Sequence, residues 1–249
     1  MSRPPASVQL YTVRDELAAD TLATVQRLAD LGLRCVEPFG LTDAVDALEP
    51  ALAAASLTAP TAHVSLLGGA HDDAFAAAGR LGVTTIIEPY IAEHRWATRA
   101  DVVELAAELT AVARQAADHG LQVGYHNHWW ELETRIDGTA ALEVFADELG
   151  DGLVTLELDT YWSAVGGVDP VALLGRLGER VVALHIKDGP VTRETEQQLP
   201  AGAGAMPIAE ILAAAPNARP VIEFDAYAGD LFDGIAESIA FVRTLGVAL

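Results

Sequence analysis

Four segments of this chain end on a glycine followed at once by an apolar residue: Gly32 before Leu33, Gly82 before Val83, Gly120 before Leu121 and Gly246 before Val247. Glycine in that place closes a helix, because it accepts the left-handed backbone that satisfies the last free carbonyls. Upstream lies Ala/Leu-rich sequence with helical spacing, for example Leu17, Leu22, Val25, Leu28 and Leu31, or Val102, Leu105, Leu109, Val112 and Ala116. After the first three glycines come short apolar runs with polar ends, RCVEP, TTIIEPY and QVGYHNH, the pattern of strands buried in a parallel sheet.

The same pattern predicts eight strands, near Val8 to Tyr11, Cys35 to Pro38, Thr61 to Val64, Thr85 to Pro89, Gln122 to His126, Thr155 to Asp159, Val182 to Lys187 and Pro220 to Phe224. Seven steps lead from Gln9 to Glu223 at about 31 residues each, the length of a βα unit. The series predicts an α/β chain, a single (β/α)₈ TIM barrel over residues 1–249. The Pro/Gly-bearing stretch from Gly189 to Pro207 is expected as a long βα loop, not a domain boundary. A doubly wound sheet is the rival, but it normally carries a Gly-rich phosphate turn after its first strand, and QLYTVRD has no glycine.

Fifteen Lys and Arg against 36 Asp and Glu leave a net charge of −21, which repels phosphate backbones and anionic lipid. Neither nucleic acid nor a membrane is expected as a partner. Cys35 is the one cysteine, so no intrachain disulfide can form, and MSRPPASVQL carries no apolar signal region. No stretch reaches 18 apolar residues. The expected location is the cytoplasm.

Active-site groups of a barrel project from the C-terminal ends of its strands. Those ends carry Gln9, Glu37, His63, Glu88, His126 with His128, Asp159, His185 with Lys187, and Glu223 with Asp225. A packed barrel needs none of them. Burying unpaired charge is costly, so acids and imidazoles meeting at one mouth call for a divalent cation. In YHNHWWEL, strand alternation points His126 and His128 the same way and Asn127 the other, with Glu131 one turn later. The lesser alternative is that one histidine there is a hydrogen-bonded core residue, with Trp129 and Trp130 packing. The HNH string also occurs in nuclease fingers, which need a ββα hairpin and basic residues; the acidic balance disfavours that.

In TLELDTYWSAVGGVDP, Asp159 at the strand end is the better ligand candidate, and Glu157, one pleat deeper, is either a contact or a partner behind it. Tyr161 and Trp162 either floor a sugar pocket or pack. In ALHIKDG, His185 is a good ligand, while Lys187 either polarises a carbonyl or pairs at the surface with Asp188. Glu223 and Asp225 repeat the alternation, one for metal and one for orientation.

VQLYTVRD, CVEPFG, YHNHWWEL, LDTYWSAVGGVDP, LHIKDG and VIEFD together resemble the xylose-isomerase-like TIM barrels grouped as sugar phosphate isomerases/epimerases, in the branch with a YHNH-type fifth strand. The resemblance spans strands one to eight. It implies one divalent cation, Mn²⁺ or Mg²⁺ with Zn²⁺ or Co²⁺ as substitutes, held by an acid from strand five together with Asp159, His185 and Glu223. Where many epimerases of that family carry a glutamate in strand five this chain has His126, so either that imidazole or Glu131 takes the place. Glu131 is the expected ligand, which leaves His126 and His128 facing substrate.

The activity implied is sugar or keto-sugar isomerisation or epimerisation through a metal-stabilised enediolate, with His128 or Glu223 as base. His126 and Lys187 are expected to assist, and Gln9, Glu37, His63 and Trp162 to bind substrate. Departure of a β-substituent from the same enediolate would make the protein a lyase or dehydratase for 3-oxo-glycosides or keto-inositols. Apurinic endonucleases resemble the barrel too, but they need several metals and a basic rim. A non-catalytic binding barrel would be expected to have lost ligand positions, and all are filled. The expected partner is a small carbohydrate, with a homo-oligomer possible; the lack of a Gly-rich phosphate loop after strands seven and eight favours a neutral sugar.

Overall fold

The computed structural model describes residues 3–69, 71–150 and 152–249. Its strands are β1 (Ser7–Val8), β2 (Thr61–His63), β3 (Thr85–Glu88), β4 (Gln122–His126), β5 (Arg135–Ile136), β6 (Thr139–Ala140), β7 (Val154–Asp159), β8 (Val181–Ile186) and β9 (Arg219–Ile222). Seven of them form one parallel sheet in the order β1-β9-β8-β7-β4-β3-β2. The remaining two, β5 and β6, make a small antiparallel hairpin that the sequence pattern did not announce.

The ring closes between β1 and β2 through residues 35–37, which lie in the eighth position without forming a regular strand. Leu10 N–H donates to the Glu37 carbonyl and Glu37 N–H to the Val8 carbonyl, both at 2.8 Å; on the other side Val36 N–H donates to Thr58 at 2.9 Å and His63 N–H to Pro38 at 2.7 Å. Only single bridges, Gln9 with Glu37 and Cys35 with Thr58, pair this segment. Pro38 explains the brevity, since it has no N–H to continue a ladder. The architecture is the expected (β/α)₈ barrel. Its first strand is shorter than Val8 to Tyr11, because the Gln9 side chain accepts from Tyr11 N–H at 3.1 Å and starts a 3₁₀ turn over Leu10–Val13.

Helices surround the sheet and are started and stopped by local chemistry. Thr98 and Asp101 form a reciprocal capping box at the start of the helix Arg99–Asp118, and Asp20 caps Thr21–Asp30 through Ala23 N–H. Gly82 ends the helix Asp72–Leu81 at φ 68°, and Gly120 follows Arg99–Asp118 at φ 73°, so both glycines adopt the backbone their positions predict. The helices bury Val, Leu and Ala against the outer sheet face, as Val102, Leu105, Leu109 and Ala116 do. Among the described residues no helix is long and apolar enough to cross a membrane.

The loop after β8 is organised by one buried side chain. The Asp188 carboxylate accepts from the backbone N–H of Gly189, Gly202, Gly204 and Met206 at 2.8 to 3.1 Å. Asp188 therefore ties both ends of the segment to the barrel and has no part in a surface pair with Lys187.

Candidate metal centre and active site

Four neighbouring strands of the sheet, β4, β7, β8 and β9, end side by side. At or just beyond these ends stand His126, Asp159, His185 and Glu223, all buried, with one ligand atom of each lying within 4.8 Å of the others. His185 Nδ1 is 2.5 Å from Glu223 Oε2 and 3.8 Å from Asp159 Oδ2, and His126 Nε2 is 3.5 Å from Asp159 Oδ2. Despite this crowding, no well-formed hydrogen bond reaches His126 Nε2, Asp159 Oδ2, His185 Nδ1 or Glu223 Oε2, although Lys187 Nζ lies 2.9 Å from each of the two oxygens. Buried polar atoms are rarely left so. Four of them converging on one point fit a metal ion, which can take a lone pair from each.

The rest of each side chain is held in place. Asp159 Oδ1 accepts from Trp162 N–H at 2.8 Å and so caps the helix Thr160–Val165, leaving Oδ2 for the cluster. Asn127 exchanges two bonds with the Asp159 backbone, Asp159 N–H to Oδ1 at 3.0 Å and Nδ2 to the Asp159 carbonyl at 3.3 Å, which fixes the end of β4 beside the end of β7. Asn127 Nδ2 also lies in reach of the neighbouring His128 carbonyl, at 3.1 Å.

A second buried group lies behind the first and shares His185. His185 Nε2 is 3.0 Å from Glu37 Oε1 and 3.1 Å from Glu157 Oε2; His63 Nε2 is 2.6 Å from Glu157 Oε2 and 3.4 Å from Glu37 Oε1. Gln9 Nε2 donates to Glu37 Oε1 at 2.8 Å, and the Thr61 hydroxyl donates to the other oxygen. Burial and the neighbouring Glu157 push the Glu37 carboxyl above its ordinary value. Carboxylates behind a ligating imidazole orient the ring and fix which nitrogen carries the proton.

Lys187 is buried among carboxylates, with Nζ 2.9 Å from Asp159 Oδ2, 2.9 Å from Glu223 Oε2 and 2.7 Å from Asp225 Oδ2. Burial opposes its charge, yet Asp159, Asp225 and Glu223 hold the ammonium well above the usual lysine range. Lys187 is thus a fixed cation, with no free lone pair for proton abstraction. Gln198, from the long loop, grips Asp225 twice, Nε2 to Oδ2 at 2.7 Å and Asp225 N–H to Oε1 at 2.8 Å.

Above the cluster opens a cavity of about 330 Å³ lined by His63, His126, His128, Glu223 and Asp225 at depth and by Tyr11, Phe39 and Tyr90 among others. Burial, His126 and Lys187 hold the His128 imidazole well below its ordinary value, so it is neutral. Its ring stacks on Trp130 with centroids 4.3 Å apart, and its Nδ1 is buried without a partner.

The structure does not bring Glu131 to the cluster. Its carboxyl accepts from the Tyr125 hydroxyl and, at 2.9 Å, from His128 N–H, and burial pushes it up to about 8. The physical reason is the tight turn at Trp130–Glu133, which folds Glu131 back on its own strand. His126 occupies the fourth corner instead. Gly166 permits this turn to pack closely, since a Cβ there would lie 2.5 Å from the Trp129 carbonyl oxygen.

Of the residues expected at substrate, His63 borders the cavity, Gln9 and Glu37 are fully buried behind His185, and Trp162 packs with its ring 5.4 Å from Lys187 Nζ. Sequence reasoning singled out neither Asn127 nor the rim residue Tyr90, because their roles depend on neighbours far along the chain. Glu88, noted at a strand end, accepts from the N–H groups of Leu66, Leu67 and Tyr90 and so shapes the cavity wall.

Comparison with known proteins agrees with this fold. A solved sugar phosphate isomerase/epimerase from Parabacteroides distasonis superposes with a TM-score of 0.82, covering 96% of this chain and 93% of that one at 22% identity. A D-allulose 3-epimerase from Methylomonas sp. gives 0.70, with 98% and 99% covered at 16% identity. An inosose dehydratase of Clostridium beijerinckii is 28% identical over 99 residues, 40% of this chain and 30% of that protein, so the match spans under a third of the relative's length. Residues 25–245 match one family throughout, and the chain belongs to the xylose isomerase-like TIM barrels.

Proposed function

We propose that the protein is a divalent-cation-dependent enzyme that moves the proton on a carbon beside a carbonyl of a neutral sugar or keto-sugar, an isomerase or epimerase by outcome. The observation that carries this reading is the convergence of four buried ligand atoms, none of them in a well-formed hydrogen bond, beneath a cavity whose wall holds a neutral imidazole. When bound, a divalent cation supplies Lewis-acid polarisation of a carbonyl and its neighbouring hydroxyl. His126, Asp159, His185 and Glu223 would hold it. Two imidazole nitrogens and two carboxylate oxygens suit Zn²⁺, Co²⁺ or Mn²⁺ better than Mg²⁺, which prefers oxygen alone.

His128 is the base in this proposal. Its neutrality leaves a lone pair free, its stacking on Trp130 fixes the ring, and its Nδ1 has no partner within the protein. Lys187 holds positive charge beside Asp159 and Glu223, where it offsets two of the acids. A single base serves one face of the substrate, which favours proton transfer between adjacent carbons. Inversion at one carbon needs a second group on the opposite face, and both acids that line the cavity are engaged, Glu223 by His185 and Lys187 and Asp225 by Lys187 and Gln198.

The similarity to inosose dehydratases favours a second reading, in which the proton taken by His128 is delivered to a departing hydroxyl. The test is a deuterium-exchange screen in heavy water over ketoses, inososes and 3-oxo-glycosides, with Zn²⁺, Co²⁺ or Mn²⁺ supplied. Metal-dependent exchange with the skeleton retained is expected; loss of water from the substrate would select the dehydratase. Absence of exchange with every sugar and every metal would overturn both.

A further inference from the structure

The cavity above the metal cluster has two chemically different halves. The floor is polar, with His63, His126, His128, Glu223 and Asp225, while the rim carries the aromatic rings of Tyr11, Phe39 and Tyr90. Tyr11 is 41% and Tyr90 57% exposed, two of the seven large apolar side chains left in water among the described residues. Single exposed rings scattered over a surface need no explanation. Two at the mouth of one cavity do.

Both rings are braced. Tyr11 stands edge-on to Phe39 with centroids 5.3 Å apart and has the Arg14 guanidinium 4.4 Å from its centre. Tyr90 stands edge-on to His128 at 5.7 Å and to Trp130 at 5.5 Å. A ring already held in place loses little freedom when a flat group stacks on it. No Lys or Arg is among the residues lining the cavity. Lys187 is enclosed by three carboxylates, and Arg14 Nη1 donates to the carbonyls of Tyr11 and Asp225. A phosphate group would face Glu223 and Asp225.

We propose that the rim is a subsite for the substituent of a glycoside: the substrate is a neutral sugar or keto-sugar bearing a flat apolar group, with the sugar on the polar floor and the substituent on Tyr11 and Tyr90. The sugar half rests on the function proposed above; the aromatic half rests on the rim alone.

The test is calorimetric titration of the whole chain with matched phenyl and methyl β-glycosides of glucose, galactose and xylose, and with glucose and glucose 6-phosphate. It is run with Mn²⁺ and again after chelation. At least one phenyl glycoside should bind on the order of tenfold tighter than its methyl partner. The ratio should survive chelation, since the rim holds no metal ligand, and glucose 6-phosphate should bind no tighter than glucose. Tyr11→Ala and Tyr90→Ala should bring the ratio towards one, and Tyr90→Phe should keep it. Should an alanine variant fail to fold by circular dichroism, leucine at that position keeps the bulk without the π face and should lose the preference likewise.

The proposal is overturned by equal binding of phenyl and methyl glycosides, by no phenyl glycoside binding, by a ratio untouched in both alanine variants, or by tightest binding of glucose 6-phosphate. Phenyl preference without proton exchange on any sugar would sink the proposed activity and leave the subsite standing. Exchange on free ketoses without phenyl preference would do the reverse.

Discussion

His185 and Glu37 meet at 3.0 Å, Nε2 to Oε1, through the ring nitrogen opposite the one that stands 2.5 Å from Glu223. An imidazole whose Nε2 proton is claimed by a carboxylate offers its Nδ1 lone pair to a metal. Glu37→Gln keeps the size of the side chain but weakens that claim. Metal affinity, measured by chelator competition, is expected to fall about tenfold to a hundredfold with the fold intact; unchanged affinity would show that Glu37 does not set the ring.

Asp159 divides its two oxygens between a helix cap and the cluster. Asparagine can keep the bond from Trp162 N–H while losing the charge on the cluster side. Asp159→Asn should therefore abolish bound metal in elemental analysis, and proton exchange with it, while circular dichroism stays that of the parent. His185→Ala should lose both as well. Turnover retained in either variant would refute the ligand assignment.

His128 borders the cavity but lies outside the set of four ligand atoms. His128→Ala should leave the metal content unchanged and slow deuterium exchange by about 10² to 10⁴, the usual worth of a positioned base. A variant that loses metal along with exchange would place this imidazole in the coordination sphere instead.

Glu131, pushed up to about 8 by burial, makes stability depend on pH. A carboxyl raised on folding keeps its proton in the native state while the unfolded chain has already released it. Its contribution is therefore full below the ordinary glutamate range and is lost as pH rises towards about 8, by on the order of 5 kcal/mol at most. Urea unfolding at several pH values between roughly 5 and 8.5 should show this slope, and Glu131→Gln should flatten it. A slope identical in parent and variant would exclude Glu131 as its source.

Asp188 gathers four backbone N–H groups that would otherwise be left without an acceptor. Asp188→Ala should cost about 2–4 kcal/mol in denaturant unfolding, because hydrogen bonds to a charged acceptor are among the stronger ones. It should also loosen Gln198, and through it Asp225, which protease cleavage within residues 189–207 would reveal. A variant as stable and as resistant as the parent would remove Asp188 from this role.

Much of the architecture was legible in the chain because it is written locally. Glycine at 82 and 120 stops helices wherever the chain happens to lie, and an apolar run between such stops has few alternatives to a buried strand. The polar strand ends were visible for the same reason, since charged groups at the end of an apolar run interrupt a pattern set by nearest neighbours. Asp159 and His185 could be named from that alone, while the choice of Glu223 over Asp225 came from the family resemblance.

What one residue does for another far along the chain was not visible. Glu131 stands five residues after His126 and carries the charge a ligand needs, yet a short turn returns it to Tyr125 and His128, and His126 closes the set. Glu37 read as a strand-end acid facing substrate and Glu157, one pleat deeper, as a contact or a partner behind one; only the closed ring shows that both lie behind His185, and that Lys187 answers Asp159, Glu223 and Asp225, not its neighbour Asp188. Periodicity and capping decide where strands begin and end, because they act within a few residues. The assignment of each buried charge to a partner is decided by distance in space, which the barrel sets only when its first and last strands meet.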